Sequence, residues 1–361
     1  MGVTPSRVAL KQPAPPAELP AIAARVEERL RSFLGDEQRR WATVDPDLDE
    51  PIERLVELVG VGGKRLRPGF VHWGFVAAGG SPDDPCTVDA GAACEMLHTS
   101  AMVHDDIADG SATRRGRPAM HVYFGDRHDT VGFRGERRRF GEGAAVLVGD
   151  LAQVYADMLS APFAAAAREV WNELRVEMNI GQYLDLLGTA RGDTEPDRAR
   201  RIARYKSAKY TIERPLHLGA ALQSRLADLA PVLSAYGVPL GEAFQFRDDL
   251  LGVFGDPDVT GKPVGDDLRE GKPTALLALA VQRSSPEQRG LLELVGSPEL
   301  DDGDIERCQE ILIETGAVSA IEAEIDSRRD EAMSVISGAG IEPSARQALI
   351  DLAVYVTARD R

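Results

Sequence analysis

The chain has 361 residues, 43% of them hydrophobic, enough to bury one large core or two ordinary ones. Its formal net charge of −16 argues against nucleic acid and against an anionic membrane surface as partners. No apolar run reaches the roughly 18 residues of a membrane span, and the N-terminus lacks a signal-peptide core. The three cysteines Cys86, Cys94 and Cys308 have no CxxC spacing and suit reduced thiols in the cytoplasm.

Residues 1–18 are rich in Pro and Ala and aperiodic, which predicts a disordered leader ahead of a single domain over 19–361. Helical patterns then follow one another at 19–34, 48–60, 65–79, 86–109, 141–161, 163–189, 196–208, 211–227, 228–254, 273–283, 286–296, 303–336 and 343–358. Alternating β-branched runs are nearly absent. Gly79-Gly80-Ser81-Pro82, Gly237-Val238-Pro239 and Gly338-Ala339-Gly340 read as punctuation between helices. The expected fold is all-α, a bundle of long antiparallel helices around a central cavity.

In chain order, the first chemical signal is Gly62-Gly63-Lys64-Arg65-Leu66-Arg67-Pro68. Glycines let backbone approach a ligand, and Lys64 and Arg67 can converge on one phosphate at a helix start. A basic helix start without an anion would be electrostatically unfavourable. Next, the apolar helix through Asp89–Val103 ends in His104-Asp105-Asp106-Ile107-Ala108-Asp109, followed by Arg114-Arg115-Gly116. Asp105 and Asp109 leave one helical face near its C-terminus, where both mutual repulsion and the helix dipole demand a cation. Hard oxygen ligands without His or Cys beside them suit Mg²⁺, which also tends to bind phosphate. Residues 125–142 are polar, Gly-rich and basic, and read as a loop, either solvated or covering the cavity. In Gly241–Asp256, Gln245, Asp248, Asp249 and Gly252 share one stripe of an otherwise apolar helix. Two acidic helices facing each other across a cavity would hold a group of Mg²⁺ ions, up to three, with a diphosphate between them.

These segments, with GQYLDL at 181–186, YKSAKYT at 205–211 and GDPDVTGKPVGDDLREGKPT at 255–274, resemble in order and spacing the trans-isoprenyl diphosphate synthases, the polyprenyl synthetases. The likeness covers about Gly62 to Thr274 and implies a homodimeric isoprenoid-synthase bundle. It implies two substrates, isopentenyl diphosphate and an allylic diphosphate. By the resemblance, Lys64, Arg67, His98 and Arg115 hold the isopentenyl diphosphate. Arg114, Lys206, Ser207, Lys262 and Lys272 serve the allylic one, and Gln245 contacts its tail or the developing cation. Asp105, Asp106 and Asp109 match the first metal motif, and Asp248 with Asp249 the second. Gln182 and Asp185, one turn apart, are expected at the cavity, where Asp185 either meets ligand or orders a neighbouring helix. No role emerges for Lys209 or Glu213.

One departure stands out. The fifth position of the second motif is Gly252, where the family often has Asp, and Asp256 could replace it only if the helix continued. Before the first Asp, the family's short-chain members carry bulky aromatics; here Ser100 and Ala101 are small, which favours the twenty-carbon geranylgeranyl product over farnesyl or longer ones. A class I terpene cyclase would need a different second metal motif and no second diphosphate pocket. A non-catalytic subunit tends to lose its aspartates. A purely structural bundle leaves the charged stripes unexplained.

Overall fold

The computed structural model describes residues 14–256 and 263–358. The fold is all-α, as expected. Helix α1 (Leu19–Ala42) turns Ile22, Val26, Leu30 and Leu34 inward at four-residue steps. Helix α2 (Asp49–Gly60) buries Ile52, Leu55 and Val59, while α3 (Leu66–Ala77) is buried on all sides. The motif helix α4 (Cys86–Asp109) ends at Gly110, whose φ of 69° is the left-handed cap that glycine supplies most easily.

The segment 125–142 is not a loop. It is two helices, α5 (Met120–Val131) and α6 (Arg137–Ser160), joined by a short turn with Gly132 and Gly135 at positive φ. Arg137 pairs with Asp126 and Asp129, stapling the hairpin. Gly141 lets α6 approach the His121 carbonyl, which a Cβ would meet at 2.3 Å. Arg137 is thus committed to this hairpin and does not reach over the cavity.

Helix α7 (Ala165–Arg191) leads through Gly192 to α8 (Pro196–Ile202). The expected break near 209–210 is absent. A π-helical segment, Ala203–Glu213, carries α8 directly into α9 (Arg214–Leu222). Widened turns of this kind recur at functional sites because they re-aim side chains. Helix α10 (Leu226–Phe254) likewise runs unbroken through Pro231 and Pro239, so Gly237-Val238-Pro239 is not punctuation. Gly237 abuts Glu213 Cα and Gly241 abuts Ala208 Cα, at 2.9 and 2.4 Å from an added Cβ. Tight packing holds the helix where local propensity would end it. The expected helix 303–336 is divided: Gly316, φ 68°, separates Asp302–Glu314 from Ala317–Ser337.

Among the described residues the buried core falls into three clusters. Leu30, Leu97, Tyr155 and Trp171 belong to the first, between α1, α4, α6 and α7. Phe70, Leu216, Tyr236 and Leu349 belong to the second, and Phe246, Leu250, Leu276 and Leu312 to the third. Among the described residues no helix is long and apolar enough to cross a membrane.

Candidate active site

The ends of α4, α7 and α10 and the π-helical segment surround a cavity of about 510 Å³, lined by Asp105, Asp185, Lys206, Asp248, Asp249 and Lys272 among others. A second chamber of about 350 Å³ adjoins it, with Arg67, His98, Tyr210 and Thr211 in its wall; Asp105, Arg114, Arg115, Lys206 and Asp248 line both.

Asp105, Asp109 and Asp185 each bring a carboxylate oxygen within 4.8 Å of the others. Lys206 reaches into this group, 3.0 Å from Asp105 Oδ1 and 2.5 Å from Asp185 Oδ2, and Gln182 Nε2 donates to Asp105 Oδ1 at 2.9 Å. Gly181 makes this possible: a Cβ there would lie 2.3 Å from the Lys206 backbone nitrogen, so α7 and the π-helical segment touch backbone to backbone. Burial disfavours ionised Asp105, but Lys206, Lys272 and Arg114 outweigh it and hold the carboxyl well below its ordinary range. Burial and the Asp105 charge push Asp109 the other way, to about 6. Asp109 Oδ2 is buried with no hydrogen bond, although Lys272 Nζ stands 3.4 Å away.

Asp106 lies on the other face of α4. It is buried and accepts from Arg114 Nε at 2.8 Å, instead of joining the acidic group. The reason is helical geometry: one residue onward turns a side chain about a hundred degrees. Across the cavity, Gln245 Nε2 donates to Asp249 Oδ1 at 2.7 Å and its carbonyl accepts from Ser207 Oγ. Burial, with the neighbouring Asp267 and Asp248, pushes the Asp249 carboxyl well up despite that hydrogen bond. Helix α10 ends at Phe254, so Asp256 lies beyond it. Lys272 Nζ gathers Asp267, at 3.3 Å, and Glu270, at 2.7 Å.

In the second chamber Arg67 stacks over Tyr210 at 4.3 Å and donates to Thr211 Oγ1 at 3.0 Å. Burial, then Arg67 and Arg115, press the His98 imidazole well below its ordinary pKa, so it is neutral. Arg115 and Gly116, with φ of 52° and 72°, turn a two-residue hairpin, Thr113–Arg114 against Arg117–Pro118, that swings both arginines to the cavity. Lys64 and Arg67 stand on different stretches of the joined cavity. Lys64 lines the larger chamber and Arg67 the smaller. Lys262 lies outside the described residues.

Three features escaped the sequence reading. Arg65, left-handed at φ 48°, is buried and pairs with buried Glu95 at 2.6 Å and with Glu27 at 3.0 Å. It fixes the junction between the loop that carries Lys64 and the start of α3 that carries Arg67, yet in KRLR it looks like any other basic residue. Asp267 and Glu270 sit beside Lys272; the run GDDLREGK was their only trace. Lys209 is taken by Glu177 at 2.6 Å, away from the cavity residues.

The sequence profile of the polyprenyl synthetase family matches residues 46–312. The geranylfarnesyl diphosphate synthase of Aeropyrum pernix is 30% identical over 84% of this chain and 92% of its own. The geranylgeranyl diphosphate synthase of Mycobacterium tuberculosis is 31% identical over 79% of this chain and 77% of its own. In structure, the geranylgeranyl pyrophosphate synthase from Corynebacterium glutamicum, complexed with isoprenyl diphosphate and magnesium, superposes with a TM-score of 0.89 at 35% identity, over 94% of this chain and 99% of that one. The chain belongs to the polyprenyl synthetase family and is a trans-prenyltransferase.

Proposed function

From that premise we propose that the protein condenses isopentenyl diphosphate with an allylic diphosphate, and that its main product is geranylgeranyl diphosphate. The observation that carries this reading is one cavity with acidic clusters on opposite walls, opening into a chamber with its own cationic wall. Two diphosphates need two such places.

The donor set fits Mg²⁺: carboxylate oxygens only, three of them grouped, and a buried Asp109 oxygen without a hydrogen bond. Asp105, Asp109 and Asp185 would hold ions on one wall, Asp248 and Asp249 on the other, for up to three ions per site. When bound, Mg²⁺ supplies Lewis-acid neutralisation of the departing diphosphate. Asp106 acts through Arg114, which it orients.

Lys206 and Lys272, each held by carboxylates here, exchange those partners for the oxygens of the allylic diphosphate, and Lys262 joins them. Their grip strengthens as charge builds on the leaving group, so it favours the transition state over the bound substrate. Arg67, Arg115 and neutral His98 hold the isopentenyl diphosphate, with Lys64 at the edge of the larger chamber. Gln245, fixed by Ser207 and Asp249, turns its amide dipole to the cation left when the allylic C–O bond breaks. Apolar walls keep water from that cation. The isopentenyl double bond attacks it, and the released diphosphate takes the proton lost, giving an allylic diphosphate one five-carbon unit longer.

Residues 19–361 act as one domain, and the protein works as a homodimer in the cytoplasm. An exposed apolar stripe supports the dimer: Leu147, Val154 and Met158 on α6, with Val176, Ile180 and Tyr183 on α7. The test is incubation with isopentenyl diphosphate, Mg²⁺ and each allylic starter. A linear twenty-carbon diphosphate is the expected product. A cyclic hydrocarbon, or no turnover, overturns the proposal.

A further inference from the structure

Lys209 and Arg214, five positions apart, meet at one carboxylate. Glu177 on α7 pairs with Lys209 Nζ at 2.6 Å and accepts from Arg214 Nε at 2.6 Å and Arg214 Nη2 at 2.8 Å. On an α-helix a five-residue step leaves two side chains about 140° apart. On a helix with i→i+5 hydrogen bonds they stand one above the other. The backbone makes that bond between the same two residues: the Arg214 N–H donates to the Lys209 carbonyl. One glutamate therefore clamps the pair that closes the π-helical turn.

Glu177 is buried, at 5% exposure. Burial opposes its charge, but Arg214 and Lys209 outweigh burial and hold the carboxyl below its ordinary range. The residue lines neither chamber, so it meets no substrate directly. It acts on the helical turn that follows Lys206, whose Nζ stands among the carboxylates of Asp105 and Asp185. Upstream, the segment is tied to α10, where buried Glu242 accepts from Arg204 Nε at 2.7 Å. Lys206 and Ser207 lie between the two ties. If the turn at 209–214 tightened to an α-turn, the residues before it would swing by about 100°. Lys206 would then leave the acidic group.

We propose that Glu177 is a positioning residue for the reaction. By holding Lys209 and Arg214 together it keeps the segment in its π-helical register, and that register presents Lys206 to the allylic diphosphate. This rests on the function proposed above.

The test is a double-mutant cycle in the full-length enzyme. Single-turnover rates are compared for the wild type, Glu177→Gln, Lys206→Ala and the two combined, with thermal melting of each. Glu177→Gln keeps the side-chain shape, and Lys209 retains Glu213 Oε2 at 3.5 Å. Its rate is expected to fall about ten-fold when Lys206 is present. Once Lys206 is alanine the further loss should be under about two-fold, because the clamp has no lysine left to place. Should Glu177→Gln fail to fold, Lys209→Met takes its place in the cycle, since Arg214 still satisfies Glu177 there, and the same non-additivity is expected. Losses that multiply in the double variant overturn the inference, for Glu177 would then only stabilise the fold. A folded Glu177→Gln enzyme at the wild-type rate overturns it as well. A wild type that forms no elongated product overturns the proposed function, and this inference with it.

Discussion

Lys206 Nζ lies 3.0 Å from Asp105 Oδ1, so the π-helical segment places a cation directly on the first acidic motif. The contact joins residues 101 positions apart in sequence. Asp105 carries a charge that needs neutralising, and Lys206 supplies the opposite one.

That relationship separates folding from turnover. Asp105→Ala leaves Lys206 paired with Asp185, so the fold is expected to survive. Turnover is expected to fall about a hundred-fold or more, because a group that shapes transition-state charge is lost. Asp248→Ala should behave alike, on the opposite wall. EDTA should abolish the wild-type rate and Mg²⁺ restore it. Steady-state kinetics beside circular dichroism tests this; a folded Asp105→Ala enzyme at near wild-type rate contradicts the metal assignment.

The two chambers predict a divided substrate response. Arg67→Ala and His98→Ala are expected to raise KM for isopentenyl diphosphate about ten-fold, roughly 1.4 kcal/mol, with little change for the allylic partner. Lys64→Ala should shift the same KM more weakly, since Lys64 lines the other chamber. Lys206→Ala should act on the allylic KM or on kcat. Equal shifts for both substrates in every variant would dissolve the two-chamber reading.

Much of this was legible in the sequence because the chemistry is written at helical spacing. Asp105 with Asp109, and Asp248 with Gln245, share faces on any α-helix, so their convergence on a cavity follows from period alone. What was not legible depends on packing between distant segments. The π-helical turns form because Gly181 and Gly241 admit backbones from other helices, which no local pattern encodes. Residues 125–142 look like a loop by composition, yet Arg137 binds Asp126 and Asp129 and makes a hairpin of them. Asp267 was hidden for the same reason: nothing local shows that it packs against Gly252 and reaches Lys272.

The contact at Gly181 is itself testable. Gly181→Ala would place a methyl 2.3 Å from the Lys206 nitrogen, and backbone atoms cannot swing aside. Overpacking of this kind costs about 1–3 kcal/mol. Both stability and kcat should fall, since the displaced segment carries Lys206 and Ser207. Urea melts and single-turnover rates measure the two effects. An alanine variant with wild-type stability would show that α7 and the segment are not held in contact.

A buried histidine far from the cavity predicts acid sensitivity. His72 on α3 is 2% exposed, edge-on to Trp73, and its Nδ1 has no hydrogen-bond partner. Burial, with a smaller push from Arg25 against the pull of Asp83, lowers its pKa to about 4. The unfolded chain then binds the proton more readily, near pH 6.5. Stability from this group is therefore full above about pH 6.5 and is lost as pH falls toward 4, by about 3 kcal/mol in all. Urea denaturation at pH 7 and pH 5 should show a smaller loss for His72→Gln than for the wild type. Equal losses would mean that the ring is already solvated.

Product length should respond to the walls of the chamber beside α4. Ser100 and Ala101 line a space of about 250 Å³, faced by Gln153 from α6 and by Met178 and Gln182 from α7. Both residues are small, and they sit about one 5.4 Å turn below Asp105, on the side away from the diphosphates. A growing chain can pass them. The next turn is closed by Met96 and Leu97, both fully buried. That depth suits a stop after a few additions, which is why the twenty-carbon product is proposed. The double variant Ser100→Phe/Ala101→Phe puts two rings across the passage. Chromatography of its dephosphorylated products should show a shift toward the fifteen-carbon alcohol. An unchanged product distribution would mean that the tail leaves by another route, and that Ser100 and Ala101 are small only to pack against α7.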